Sequence, residues 1–205
     1  MIKYGKRYFL HRLAGLVTFS AANFALARVT PRQSLGPFYP STLPLDRDSD
    51  LTFVEGKKGR ASGHVTNLYG RLYSVDGSFL PQANIEIWQC DAFGGYHHPS
   101  DGGGKDPFFQ GYGKTMTDDK GQFRFKTIKP VAYPGRAPHI HLRISKGSKE
   151  LVTQIYVLGN PANRTDFLLN SIPSKEARQS LIIPFKDDPN GAVGELVAIF
   201  NPIIG

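Results

Sequence analysis

A chain of 205 residues that is 40% hydrophobic is long enough for one domain with a sizeable core. Its formal charge of +8 falls to +4 once residues 1–27 are set aside, since these carry Lys3, Lys6, Arg7 and Arg12 and no acid; the remaining cations are scattered without interleaved aromatics, which excludes a nucleic-acid partner. The single cysteine, Cys90, cannot form an internal disulfide, so stability must come from packing.

Residues 1–27 read as an export signal: a basic start, a moderately apolar run from Leu13 to Phe24, and the small-x-small site Ala25-Leu26-Ala27. The apolar run is shorter than the ~20 residues that span a bilayer, so no stable membrane insertion is expected after its removal. The protein is expected to be exported, to the periplasm or beyond. Lys6-Arg7-Tyr8-Phe9-Leu10 resembles a twin-arginine motif with Lys in the first basic position. His11 lies inside the removed segment, and residues 28–205 form the remaining domain.

That domain is mostly short β segments, at 61–67, 71–74, 84–90, 121–128, 139–145, 151–156 and 195–201. Asp76-Gly77 and Asp119-Lys120-Gly121 are turn signals, and Phe123 and Phe125 alternate with Arg124 and Lys126 as a half-buried strand requires. The expected fold is all-β, an antiparallel β-sandwich with long loops forming a pocket. The segment 84–90 ends in a Gly94-Gly95 turn that carries Tyr96, with His97 and His98 read as rim residues. Residues 99–110, with three consecutive glycines and Asp106-Pro107, read as a mobile loop and a candidate lid. A short helix is expected over 174–180 with Ser174 as its N-cap.

The densest chemistry lies in Tyr133-Pro134-Gly135-Arg136-Ala137-Pro138-His139-Ile140-His141, which places a phenol, a guanidinium and two imidazoles within nine residues. On a strand His139 and His141 share one face, with Ile140 on the other, so the two imidazoles can converge on one ion; a His-x-His pair by itself equally serves strand hydrogen bonding or surface solubility. Pro134 and Pro138 restrict the approach to that strand. Gln154 sits at the centre of the next apolar strand.

Several motifs, in one order, resemble the intradiol ring-cleavage dioxygenases, in particular the protocatechuate 3,4-dioxygenase type and its small secreted single-domain relatives. These are Thr30-Pro31 with Gly36-Pro37-Phe38-Tyr39-Pro40, Ile87-Trp88-Gln89 through Tyr96, Thr127-Ile128-Lys129-Pro130 leading into Tyr133, and His139-Ile140-His141. The resemblance covers the chain from about Thr30 to Pro161. It implies a mononuclear non-haem Fe(III) held by Tyr96, Tyr133, His139 and His141, with Tyr133 and His141 axial. It also implies a catechol-type substrate, as in aromatic compound catabolism, cleaved by O2 between its two hydroxyl-bearing carbons to a muconate-type diacid. In that scheme Tyr133 takes a substrate proton, Arg136 stabilises charge developing on the ring, and Gln154 supplies an amide beside the pocket. Such donors suit a hard trivalent ion, which prefers phenolate oxygen and imidazole to thiolate and lowers the phenol pKa from about 10.

Tyr133 and His139 are only six positions apart, where larger members of that family insert a longer loop. One wall of the substrate pocket is therefore absent or rebuilt, which leaves the ring substituents undetermined. A homo-oligomer stays open. Two other readings fit parts of the same pattern: a non-catalytic transthyretin-like β-sandwich binding module, and an iron-binding relative without turnover.

Overall fold

The computed structural model describes residues 29–103 and 105–205; Gly104 and residues 1–28, and with them the export signal expected over 1–27, lie outside the described residues. Eleven strands form among the described residues, numbered in chain order. They are β1 (Val65–Arg71), β2 (Tyr73–Ser74), β3 (Asn84–Trp88), β4 (Tyr112–Met116), β5 (Gln122–Ile128), β6 (His139–Lys146), β7 (Lys149–Val157), β8 (Ile182–Ile183), β9 (Lys186–Asp187), β10 (Leu196–Ile199) and β11 (Ile203–Ile204). A five-stranded sheet in the order β4-β3-β6-β7-β8 packs on a four-stranded sheet in the order β5-β1-β10-β9, and β11 pairs with β2. A 3₁₀ turn (Pro161–Arg164) and two short helices, α1 (Phe167–Asn170) and α2 (Lys175–Gln179), lie between β7 and β8. No helix among the described residues is long and apolar enough to cross a membrane.

Period-two alternation decides which side chains enter the sandwich. From the five-stranded sheet Ile85, Ile87, Ile140, Leu142, Ile144 and Ile155 are fully buried, and they join Leu68, Phe125 and Ile128 of the other sheet in one cluster. Each such burial contributes about 1.5–3 kcal/mol. The opposite face of the five-stranded sheet is also covered, by the segment preceding β1. There the Gln33 side-chain amide donates to the Tyr156 hydroxyl at 3.0 Å and the Tyr39 hydroxyl to Glu86 at 2.6 Å. The same segment runs along the edge of β7, the Gln33 backbone amide donating to the Val152 carbonyl and the Thr153 hydroxyl to the Pro31 carbonyl, both at 2.8 Å. A strand buried on both faces can therefore keep polar side chains dry on its outer side.

The sandwich is mixed where an antiparallel one is expected: β1–β10, β7–β8 and β2–β11 pair in parallel. The reason is the route of the C-terminal third, which crosses over through the helices before its strands dock, and parallel neighbours need such crossovers. Strand β4 is unexpected because Gly113 interrupts its pattern. That glycine is needed where Leu51 and the Asp48 carbonyl press against the strand. Helix α2 is capped as expected, the Ala177 amide donating to the Ser174 hydroxyl at 3.2 Å.

Gly70 in β1 marks a close backbone approach, since a Cβ there would collide with the Phe123 ring and the Phe200 carbonyl. Gly70→Ala is expected to destabilise the fold by about 1–3 kcal/mol. A urea midpoint unchanged from wild type would show that the sheet shifts freely.

Candidate metal centre

Strand register builds the base of the site. Trp88 of β3, His141 of β6 and Gln154 of β7 are direct cross-strand neighbours, and His139 stands opposite Tyr156. Both imidazoles are buried, at 1% and 2% exposure, and their Nε2 atoms lie 3.1 Å apart. His139 Nδ1 is 2.6 Å from the Ala137 carbonyl, which only accepts, so Nδ1 carries the proton and Nε2 presents a lone pair. The His141 ring is held by stacking on Trp88, with centroids 4.7 Å apart and planes 11° from parallel.

The two phenols arrive on turns. After β3 the chain reverses around Asp91, whose Oδ1 accepts from the Phe93 and Gly95 amides at 2.9 and 3.0 Å. That turn delivers Tyr96, buried and stacked on Phe38 at 4.5 Å, with its hydroxyl 3.5 Å from His139 Nε2. Tyr133-Pro134-Gly135-Arg136 is a type II turn: Arg136 N donates to the Tyr133 carbonyl at 3.0 Å, proline occupies the second position, and Gly135 has a φ of 82° that only glycine adopts easily. The turn sets Tyr133 and Arg136 side by side, and Arg136 Nη1 donates to the Tyr133 hydroxyl at 3.3 Å. The Tyr96 and Tyr133 rings meet edge to face at 5.3 Å. The structure thus brings together all four residues expected to bind metal.

Arg136 is held from behind by a residue the sequence pattern does not reveal. Asp166, fully buried, accepts from Arg136 Nε at 2.9 Å and Nη2 at 3.4 Å, from the Ala137 amide at 2.8 Å, and from the Leu169 amide at 2.9 Å as N-cap of α1. Arg136 Nη2 also donates to Gln154 Oε1 at 2.7 Å and to the Tyr156 hydroxyl at 3.3 Å. Gln154 therefore lies beside the site through Arg136, and its own Nε2 is buried without a partner. Trp88, Tyr156 and Asp166 join the site unforeseen. An N-cap signal three residues before Leu169 was the available clue to the last.

Burial raises both phenol pKa values, that of Tyr96 well above the usual 10; at Tyr133 the nearby Arg136 cation offsets part of the rise. Burial, with Arg136 nearby, depresses His139 to about 4, and burial together with His139 takes His141 well below its usual value. Without a cation the set is therefore two neutral phenols and two neutral imidazoles. This arrangement is not self-sufficient. His141 Nδ1 is buried with no partner, so a proton on Nε2 leaves Nδ1 a bare acceptor, and a proton on Nδ1 leaves two Nε2 lone pairs facing each other at 3.1 Å. An unsatisfied buried group of this kind costs about 1–3 kcal/mol. A cation accepting both Nε2 lone pairs removes their mutual repulsion, with the His141 proton on Nδ1, so the residues fit a metal. No group of three or more His, Cys, Asp or Glu among the described residues could hold one, so the remaining donors would be the phenols.

The other candidates stay outside. Cys90 is buried, its thiol pushed up to about 12 chiefly by burial, and its Sγ faces the Val131 carbonyl at 3.6 Å. His97 packs edge-on to Phe109, and His98 Nδ1 accepts from the Ser100 amide at 3.1 Å, so neither turns toward the imidazole pair. The expected mobile loop 99–110 is corrected in its second half. Asp106 is buried, its amide bonded to Asp91 Oδ2 at 2.7 Å and its carboxylate to the Ser62 and Phe108 amides at 2.7 and 2.9 Å, while Phe109 is fully buried.

A cleft of about 380 Å³ opens on Tyr133 and Arg136, walled by Phe38, Pro134, Phe167 and Leu168. That is within the ~300–1,000 Å³ of small-molecule sites.

The sequence profile of the family described as Dioxygenase matches residues 35–200. The beta chain of protocatechuate 3,4-dioxygenase from Burkholderia cepacia is 36% identical over 169 residues, covering 77% of this chain and 71% of its own. Catechol 1,2-dioxygenase from Acinetobacter baylyi is 31% identical over 166 residues, 71% of this chain, which spans only about half (52%) of that relative. Among solved structures, catechol 1,2-dioxygenase from Acinetobacter sp. ADP1 superposes with a TM-score of 0.65 at 26% identity, over 85% of this chain and 62% of that one. The intradiol ring-cleavage dioxygenase from Tetranychus urticae gives 0.66 at 24% identity, over 87% of this chain and 95% of that one, a likeness of fold. With the motif order, the fold and these matches in agreement, the chain belongs to the intradiol ring-cleavage dioxygenase family.

Proposed function

We propose that the protein is a non-haem Fe(III) dioxygenase that opens a catechol-type ring between its two hydroxyl-bearing carbons. Both atoms of O2 end in the resulting muconate-type diacid, so no external reductant is consumed. The observation that carries this is the meeting of Tyr96, Tyr133, His139 and His141 around a buried point beside a cleft, with the two imidazole Nε2 atoms facing each other at 3.1 Å. Bound there, ferric iron would supply Lewis acidity toward the catechol oxygens and draw electron density from the ring.

The residues divide the remaining work. His139 and His141 present lone pairs whose direction is fixed by the Ala137 carbonyl and the Trp88 face. Tyr96, buried and stacked on Phe38, is the immobile phenol. Tyr133 is half-buried, lines the cleft and rests on a two-residue turn, so its Oη is placed to take a substrate proton and swing aside. Arg136 faces that same Oη and favours its anionic form, and through the same Nη1 the fixed guanidinium would stabilise negative charge building on the ring. Phe38 and Pro134 exclude water from the cleft wall.

Tyr133→Phe keeps the ring packing and removes the proton acceptor. Oxygen uptake by the iron-loaded variant with catechol is expected to fall at least ~100-fold. A rate equal to wild type would remove Tyr133 from the mechanism. Absence of oxygen uptake by the iron-loaded wild type with any of a panel of catechols would instead favour an iron-binding protein without turnover.

A further inference from the structure

We propose, resting on the function above, that this site selects catechols whose ring substituents are uncharged and apolar, and discriminates against those bearing a carboxylate. The cleft has one charged lining residue among the described residues, Arg136. Its other walls are Phe38, Pro134, Phe167 and Leu168, with Ser34, Gly36, Pro37 and Gly135 completing the lining beside Tyr133.

Arg136 is not free to neutralise a second anion. Its partner Asp166 is fully buried and takes two of its nitrogens, at 2.9 and 3.4 Å, so the pair is already neutral overall. Nη2 is further committed to Gln154 and Tyr156, and only Nη1, against Tyr133, faces the place where ring oxygens would come. A substituent carboxylate held against the Phe38, Phe167 and Leu168 surface would lose part of its water without gaining a cation.

An apolar substituent meets the opposite situation. Phe167 is 64% exposed and stands at the rim, where its ring lies 5.3 Å from the Arg136 guanidinium carbon. Leu168 and Pro134 extend the same surface. The short turn at Gly135 leaves this wall open, since a Cβ built there meets nothing within 4 Å. A substituent projecting past the turn would cover exposed apolar area and release water.

The test separates substituent charge from ring electronics. Iron-loaded protein is titrated without oxygen, following the visible spectrum, with methyl 3,4-dihydroxybenzoate and with 3,4-dihydroxybenzoate itself. The neutral ester is expected to bind tighter by on the order of tenfold or more. Phe167→Lys, at an exposed position, is expected to shift the preference toward the acid by on the order of tenfold at unchanged iron content. Equal or tighter binding of the acid by the wild type would overturn the substrate class and leave the dioxygenase proposal standing. No spectral change with either compound, in protein holding one iron per chain, would overturn both.

Discussion

His141→Ala is expected to lower iron affinity by at least ~100-fold, while the metal-free protein unfolds within a few degrees of wild type. The two halves of that expectation have separate causes. His141 contributes a buried Nε2 lone pair, held in place by the Trp88 stack, so the metal loses a donor outright. In the metal-free protein the same imidazole carries an unpartnered Nδ1, and removing it relieves roughly the 1–3 kcal/mol that the orphaned atom costs. The cavity left beneath Trp88 costs a similar amount, so the net change is small. Iron analysis after gel filtration, with thermal unfolding of the apo protein, reads both. Retention of one iron per chain by the variant would contradict the assignment.

Asp166→Ala is expected to be the most destabilising single change at the site. Removing one partner of a buried ion pair costs about 3–5 kcal/mol, because the other charge stays buried and unpaired. Arg136 and Asp166 have side chains 6% and 0% exposed, so solvent cannot take over. The same substitution strips the N-cap of α1, worth about 1 kcal/mol, and orphans the Ala137 amide that sets the approach to His139. A fall of roughly 10 °C or more in unfolding midpoint should follow. Asp166→Asn, which keeps acceptor geometry without the charge, should fall between the two. A midpoint within about 2 °C of wild type for the alanine variant would show that Arg136 finds another partner.

The parts of this molecule that could be read from sequence are those decided by neighbours along the chain. His139 and His141 share a face because strands alternate, and the Pro-Gly turn juxtaposes Tyr133 and Arg136 within four residues. What escaped depends on partners distant in the chain. Asp166 meets Arg136 across thirty positions and sits before a helix of four residues, too short to show a periodicity. The parallel pairing of β10 with β1 comes from the route of the chain between β7 and β10, which local propensity does not encode. Residues 105–110 look like loop by composition, yet Asp106 and Phe109 are tied down by Asp91, Ser62 and the core. Strand β4 carries Gly113 because Leu51 and the Asp48 carbonyl, both distant in sequence, crowd it.

The visible absorption spectrum of protein loaded with one ferric ion per chain tests the central claim most directly. Two phenolates and two imidazoles on one iron should produce a phenolate-to-iron charge-transfer band, weakened in Tyr96→Phe and in Tyr133→Phe and absent when both are replaced. One tightly held iron per chain with no such band in the wild type, or a band that survives the double substitution, would contradict it.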